Sequence, residues 1–289
     1  MLRPALLYFI LSSCAFAARA SDCPKHYAGG QAPVIVKASL KPRTQELCFE
    51  AFAVMHSGLS RGPLWSAEHL VRDNVQAAEE LARRDSFHAE PALSRSDRAE
   101  LSDYVRSGFD RGHMSPNGDM PDRTAQGQSF SLANMVPQVH ANNAGIWAGI
   151  EAAVRRLAIE DGEVYVVTGP AFIGSEIASL KNRVLVPTHL WKVVYSPRRR
   201  QAGAYLVTND ETRTYSAVTV GELEQTVGIR LLPGVPQQVR DAGMTLPVPS
   251  GNGVNHARRK RGEPAPEVEY TLSDLARRVI DQLLHQLRK

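Results

Sequence analysis

Gly108-Phe109-Asp110-Arg111-Gly112-His113-Met114 crowds a carboxylate, a guanidinium and an imidazole around one glycine. Downstream come Asn134, Gln138, His140, Asn142 and Asn143, then a segment bearing Glu151 and Arg155. Between Ala144 and Ile159 the residues Ile146, Trp147, Ile150, Val154 and Leu157 recur at three- and four-residue steps, which predicts an amphipathic helix. On a regular α-helix the spacing of Asn143, Glu151 and Arg155 brings all three side chains to one face. That face would carry a neutral oxygen donor, a carboxylate and a cation, a set suited to holding a hard divalent ion against an anionic substrate. An asparagine carbonyl is a fair ligand for Mg²⁺, with Mn²⁺ as an alternative. His113 can take a proton from water. Arg111 and Arg155 can grip phosphate oxygens.

Each element has a plainer reading on its own. Asp110-Arg111-Gly112-His113 could be a turn with an ion pair, Asn142 and Asn143 could cap the following helix, and Glu151 with Arg155 could be a surface pair. Their joint occurrence in one stretch shifts the weight to chemistry. His113 has no His-x-x-x-His or paired-cysteine spacing around it, which argues against zinc.

Outward from this stretch, Cys48–Met55 and Leu64–Val71 read as strands and Val75–Arg84 as a short helix. Val164–Thr168, Arg183–Pro187, Leu190–Tyr195 and Ala202–Thr208 read as further strands, with a turn at Pro197–Arg200. Thr219-x-x-Glu222 is a capping-box pattern that opens a helix.

The motif resembles the DNA/RNA non-specific endonucleases, a family with a ββα-metal core. Beyond Asp110-Arg111-Gly112-His113 it includes Val136-Pro137-Gln138, Asn143, Trp147, Glu151 and Arg155. Upstream it includes Arg83-x-Asp85-x-Phe87 and Glu90-Pro91, and downstream Gly169-Pro170 and Val186-Pro187-x-x-Leu190-Trp191-Lys192. The resemblance spans roughly residues 48–230 and implies an α+β fold, a central mainly antiparallel sheet flanked by helices. It further implies hydrolysis of DNA and RNA to 5′-phosphorylated products. His113 would be the general base, Asn143 the direct Mg²⁺ ligand (Asn142 being the competing choice), and Glu151 the holder of water on the metal. Arg111, Arg155 and Arg83 would face the scissile phosphate, with Arg84 as the alternative to Arg83. Asp110, Gly112, Asn134 and Gln138 complete the motif, Asp110 positioning the loop or the metal's water. A non-catalytic nucleic-acid-binding or uptake protein on the same fold is the alternative, and intact His113, Asn143 and Glu151 weigh against it. A homodimer and an inhibitor partner both stay open.

The remainder concerns destination and termini. Met1–Arg3 followed by the apolar Ala5–Ala17 and by Ala18-Arg19-Ala20 reads as a signal peptide over residues 1–20, so an exported, periplasmic or secreted protein is expected. Leu11-Ser12-Ser13-Cys14 offers the rival reading of a lipid anchor at Cys14. No stretch is long and apolar enough to suggest a transmembrane segment. Losing Cys14 with the signal leaves Cys23 and Cys48, which in an oxidising compartment should pair. The net charge of +4 is too small to announce a nucleic-acid binder, and Arg3 and Arg19 leave with the signal. The basic residues that matter are instead the placed arginines. The domain is expected over 21–230, a Pro/Gly-rich basic linker over 231–270 with Arg258–Arg261, and an amphipathic helix over 271–289.

Overall fold

The structure is a computed structural model and describes residues 23–249 together with Asn255–His256. The expected signal segment with Cys14, the basic run Arg258–Arg261 and the helix over 271–289 lie outside the described residues.

After a lead-in carrying β1 (Val34–Ile35), the chain forms β2 (Thr44–Cys48), β3 (Phe52–Ser57), β4 (Gly62–Val71) and α1 (Arg72–Glu80). The single strand predicted over Cys48–Met55 is in fact two, broken at Phe49–Ala51. There Phe49 N donates to Phe52 O at 2.9 Å, and Lys25 Nζ reaches Glu50 O at 2.7 Å. Cys48 therefore ends a strand, and its disulfide with Cys23 (Cα–Cα 5.6 Å) fastens the lead-in to it. Helix α1 starts three residues earlier than its predicted span, because Gly162 O accepts the Arg72 amide at 2.8 Å.

There follow α2 (Leu101–Tyr104), β5 (Asp110–His113), α3 (Arg123–Ser129), β6 (Met135–Gln138), a π-helical turn at Asn142–Trp147 and α4 (Ala148–Asp161). Then come β7 (Glu163–Ala171), β8 (Ser179–Leu180), β9 (Val184–Leu185), β10 (His189–Ser196), β11 (Gln201–Thr208), β12 (Thr214–Val218) and α5 (Val220–Val227). The chain continues with β13 (Ile229–Arg230), α6 (Gln237–Ala242) and β14 (Asn255–His256). The strand predicted over Arg183–Pro187 is only the two-residue β9, paired with β8. The Thr219 capping box forms as expected: Glu222 N donates to Thr219 Oγ1, and Thr219 N to Glu222 Oε2.

Seven strands form an antiparallel sheet in the order β12-β11-β10-β7-β4-β3-β2, with β14 added in parallel on β12. Successive side chains alternate between its faces. Trp191, Val193, Ala202 and Ala204 point to one side, where the lead-in and α5 pack. Leu190, Val194, Tyr205 and Val207 point to the other, against Ile150, Val154 and Leu157 of α4. The β5–β6 hairpin stands apart from the sheet on the α4 side. This is the α+β architecture expected.

Residues 231–249, the first part of the predicted linker, are packed, while most of its remainder lies outside the described residues. Leu231, Leu232 and Val235 are buried in the first core, β13 pairs with β1, and Tyr205 Oη donates to Pro247 O at 2.6 Å. Proline and glycine here turn a packed chain rather than loosen it. A chain ending at residue 230 should therefore fail to give a cooperative thermal transition. It would lose three buried aliphatic side chains at about 1.5–3 kcal/mol each, a loss that calorimetry on the truncated chain would register.

Candidate active site

The β5–β6 hairpin aligns Asp110 with Gln138, Arg111 with Pro137, Gly112 with Val136 and His113 with Met135. Gly112 leaves no room for a side chain, since a Cβ there would stand 2.0 Å from Gln138 Oε1. Gln138 uses that closeness. Its Nε2 donates to Asn142 Oδ1 at 2.7 Å, which fixes the entry of the π turn. Asn142 is fully buried and structural, while Asn143 faces the pocket. Asn143 Nδ2 donates to Asp110 Oδ2 at 2.9 Å, which turns the amide carbonyl away from that carboxylate. His140 Nδ1 lies 2.9 Å from the same oxygen.

A pocket of about 420 Å³ is lined by Arg83, Asp85, Phe87, Tyr104, Val105, Phe109, Asp110, Arg111 and Asn143. Thus Arg83, Asp110, Arg111 and Asn143 come together as expected. Arg83 Nε is paired with Asp85 Oδ1 at 2.6 Å, and Arg84 is exposed with its backbone N bound to Gln126. The Arg111 guanidinium lies 4.1 Å from the Phe87 ring centre.

His113 is buried against the rings of Phe130 (5.1 Å, edge-on) and Phe87 (5.8 Å). Its Nε2 has no hydrogen-bond partner. Burial chiefly, then the charges of Arg83 and Arg111 against the opposing pull of Asp85, lowers its pKa to about 3, so the ring is neutral at physiological pH. Trp147 Nε1 donates to His113 O at 3.4 Å.

Glu151 and Arg155 sit on α4, but the regular α spacing drawn from Asn143 is interrupted by the π turn, where Gly145 has φ −104° and ψ −105°. Arg155 is committed to Asp119, which is almost fully buried, through Nη1–Oδ1 at 2.7 Å. Desolvation raises the Glu151 pKa to about 7, opposed by Lys192 and Arg155. Asn134 lies beneath the site, its amide holding Ser115 N, Ser115 O and Ser129 O. Phe130, Tyr104 and Asp119 escaped the sequence reading, because they reach the site from separate loops and short helices.

A hairpin bearing a buried histidine, laid across a helix that supplies asparagine and glutamate, is the architecture of ββα-metal nucleases. The chain belongs to the DNA/RNA non-specific endonuclease family, whose profile matches residues 31–238. It is 34% identical to Nuclease C1 of Cunninghamella echinulata var. echinulata over 185 residues, 59% of this chain and 73% of that protein. It is 30% identical to the mitochondrial nuclease EXOG of Homo sapiens over 212 residues, 66% of this chain but only 57% of that protein. The solved EndoG/EndoGI complex, described as revealing the mechanism of EndoG inhibition, contains a chain that superposes with TM-score 0.60 at 25% identity. The match covers 67% of this chain and 88% of that one.

Two outcomes follow for the site. Gly112→Ala should cost about 1–3 kcal/mol in denaturant unfolding, the range for overpacking, since the added methyl strikes Gln138. The Glu151 pKa of about 7 lies above its ordinary 4.5, so the unfolded chain gives up this proton first and stability falls as pH rises between those values. In metal-free protein, Glu151→Gln should remove that part of the slope in melts between pH 4.5 and 7.

Proposed function

We propose that the protein is an exported, Mg²⁺-dependent nuclease that cuts DNA and RNA without sequence preference, leaving 5′-phosphorylated ends. The observation that carries this reading is the unpartnered, neutral His113 Nε2 beside a pocket lined by Arg83, Arg111 and Asn143.

The donors fit a hard cation. Asn143 offers a carbonyl oxygen, Asp110 and Glu151 are carboxylates, and among the described residues no group of three His, Cys, Asp or Glu is placed to hold a metal. Such a set suits Mg²⁺, which retains much of its water, and Mn²⁺ fits the same donors. Asn143 would hold the ion and Glu151 its water; when bound, the ion would offset phosphate charge and assist the leaving oxygen. Asp110 orients the Asn143 amide.

His113 takes the proton of the attacking water as its oxygen bonds to phosphorus and the bond from phosphorus to the 3′ oxygen breaks. The buried imidazole is neutral, so its unpartnered Nε2 has a lone pair free to accept that proton, and the two phenylalanine rings hold the ring in place. Arg111 and Arg83 contact the phosphate oxygens, while Arg155, tied to Asp119, adds positive potential from below. Phosphate contacts carry no sequence information, so cleavage is general. The Cys23–Cys48 disulfide supports export, although several relatives bear mitochondrial names. Among the described residues no helix is long and apolar enough to cross a membrane.

Purified protein should degrade plasmid DNA and RNA with Mg²⁺ and stop in EDTA. His113→Ala should lose about 10²–10⁴-fold in rate, the usual contribution of a general base. Wild-type activity in that variant would overturn the reading.

A further inference from the structure

Beneath the site, on the α4 face of the sheet, lie two charges that the chemistry above does not use. Glu68 of β4 and Lys192 of β10 are each 1% exposed, with Lys192 Nζ 4.0 Å from Glu68 Oε1. Neither Glu68 oxygen has a hydrogen-bond partner. Burying an ion pair so poorly bonded is costly, and two packed aliphatic side chains would serve stability as well or better. The pair therefore calls for an explanation other than folding.

The Lys192 ammonium supplies one. It donates to Thr168 Oγ1 at 2.7 Å, lies 5.5 Å from the centre of the Trp147 ring, and reaches the carbonyl of Met114 at 3.4 Å. Met114 follows His113, and Trp147 itself donates to the His113 carbonyl at 3.4 Å. Two consecutive carbonyls at the end of β5 are thus held from below, one by Lys192 and one by the indole that Lys192 underlies. The next residue is held as well, with Ser115 Oγ 2.7 Å from Ser66 Oγ and Ser115 N donating to Asn134 Oδ1 at 3.0 Å. Of these anchors only Lys192 carries charge, and it alone joins the hairpin to both the central strands and Trp147 at the head of α4. Lys192 also favours the ionised form of Glu151 more than any other charge near it.

We propose that Lys192, with Glu68 as its counter-charge, is a positioning residue that sets His113 against the Asn143–Glu151 helix for catalysis. This rests on the nuclease reading of the site. None of these contacts touches substrate, so the loss should fall on kcat with little change in KM.

Stability and positioning can be separated. Lys192→Met alone leaves Glu68 buried without its partner and should lower both Tm and kcat. The double variant Glu68→Leu/Lys192→Met removes both charges, and its Tm should return to that of the wild type. Its kcat should stay about 10- to 100-fold low, the scale of a small misplacement of a catalytic group, with KM within about two-fold. The Trp147 indole N–H resonance should also move, because its bond to His113 O would shift. Recovery of kcat together with Tm, and an unmoved indole signal, would overturn the proposal. Thr168→Val, which keeps both charges but removes one contact of the ammonium, covers the case in which the double variant fails to fold. It should lower kcat about three- to ten-fold, and an unchanged kcat would count against positioning. Wild-type protein inert with both Mg²⁺ and Mn²⁺ would sink the nuclease reading instead, leaving the indole resonance to decide the positioning alone.

Discussion

A missing side chain governs this site. Gly112 has no Cβ, so the Gln138 side chain can lie against its backbone in the space a methyl would fill. From there Gln138 holds Asn142, and the Asn142 amide reaches on to Thr208 O of β11. One contact thus couples three things: the pairing of β5 with β6, the entry of the π turn, and the end of β11. Asn143 follows Asn142, so its amide reaches Asp110 only because its neighbour is pinned. The opposite ends of the hairpin carry Asp110, opposite Gln138, and His113, opposite Met135.

Much of the site was legible because its polar residues cluster within one stretch, where spacing and residue type suffice to suggest phosphate chemistry. What sequence could not display was environment. His113 is a plain imidazole in the sequence, yet two phenylalanine rings and neighbouring arginines strip it of its proton. Arg155 looks free for phosphate, but Asp119, brought in by a separate turn, already engages it. The π turn was hidden for a related reason. The apolar stripe from Ile146 to Leu157 satisfies an α-helix, and only the backbone at Gly145 shows that the first turn is wider.

The fold was legible where alternation was clean and obscure where composition misled. β10, β11 and their turn follow directly from two apolar runs around Pro197–Arg200. The break at Phe49–Ala51 has no glycine or proline to announce it, and contacts from Lys25 and His26, far back in the chain, help to shape it. Residues 231–249 show the reverse error. Its prolines and glycines suggest slack, but Leu231, Leu232 and Val235 fill the core under α5, and Glu224 accepts the Leu231 amide. Local composition reports what a backbone can do, whereas burial depends on partners elsewhere.

The charges divide into two layers with opposite demands. Near the pocket, Arg83 and Arg111 line open space, and their field adds to the burial that keeps His113 neutral. Deeper, Glu68, Lys192 and Asp119 are withdrawn from solvent and Arg155 is half-buried, and each buried charge there must be answered by another. Glu68 answers poorly: burial first, then the nearby Asp119, drives its pKa well up despite Lys192. The Lys192 ammonium thus has a distant counter-charge at 4.0 Å and relies as well on Thr168 Oγ1 and the Met114 carbonyl. Of the charges near Glu151, that ammonium does most to favour the ionised carboxylate. Through Lys192 the centre of the sheet thus acts on a buried carboxylate of α4 as well as on the end of β5.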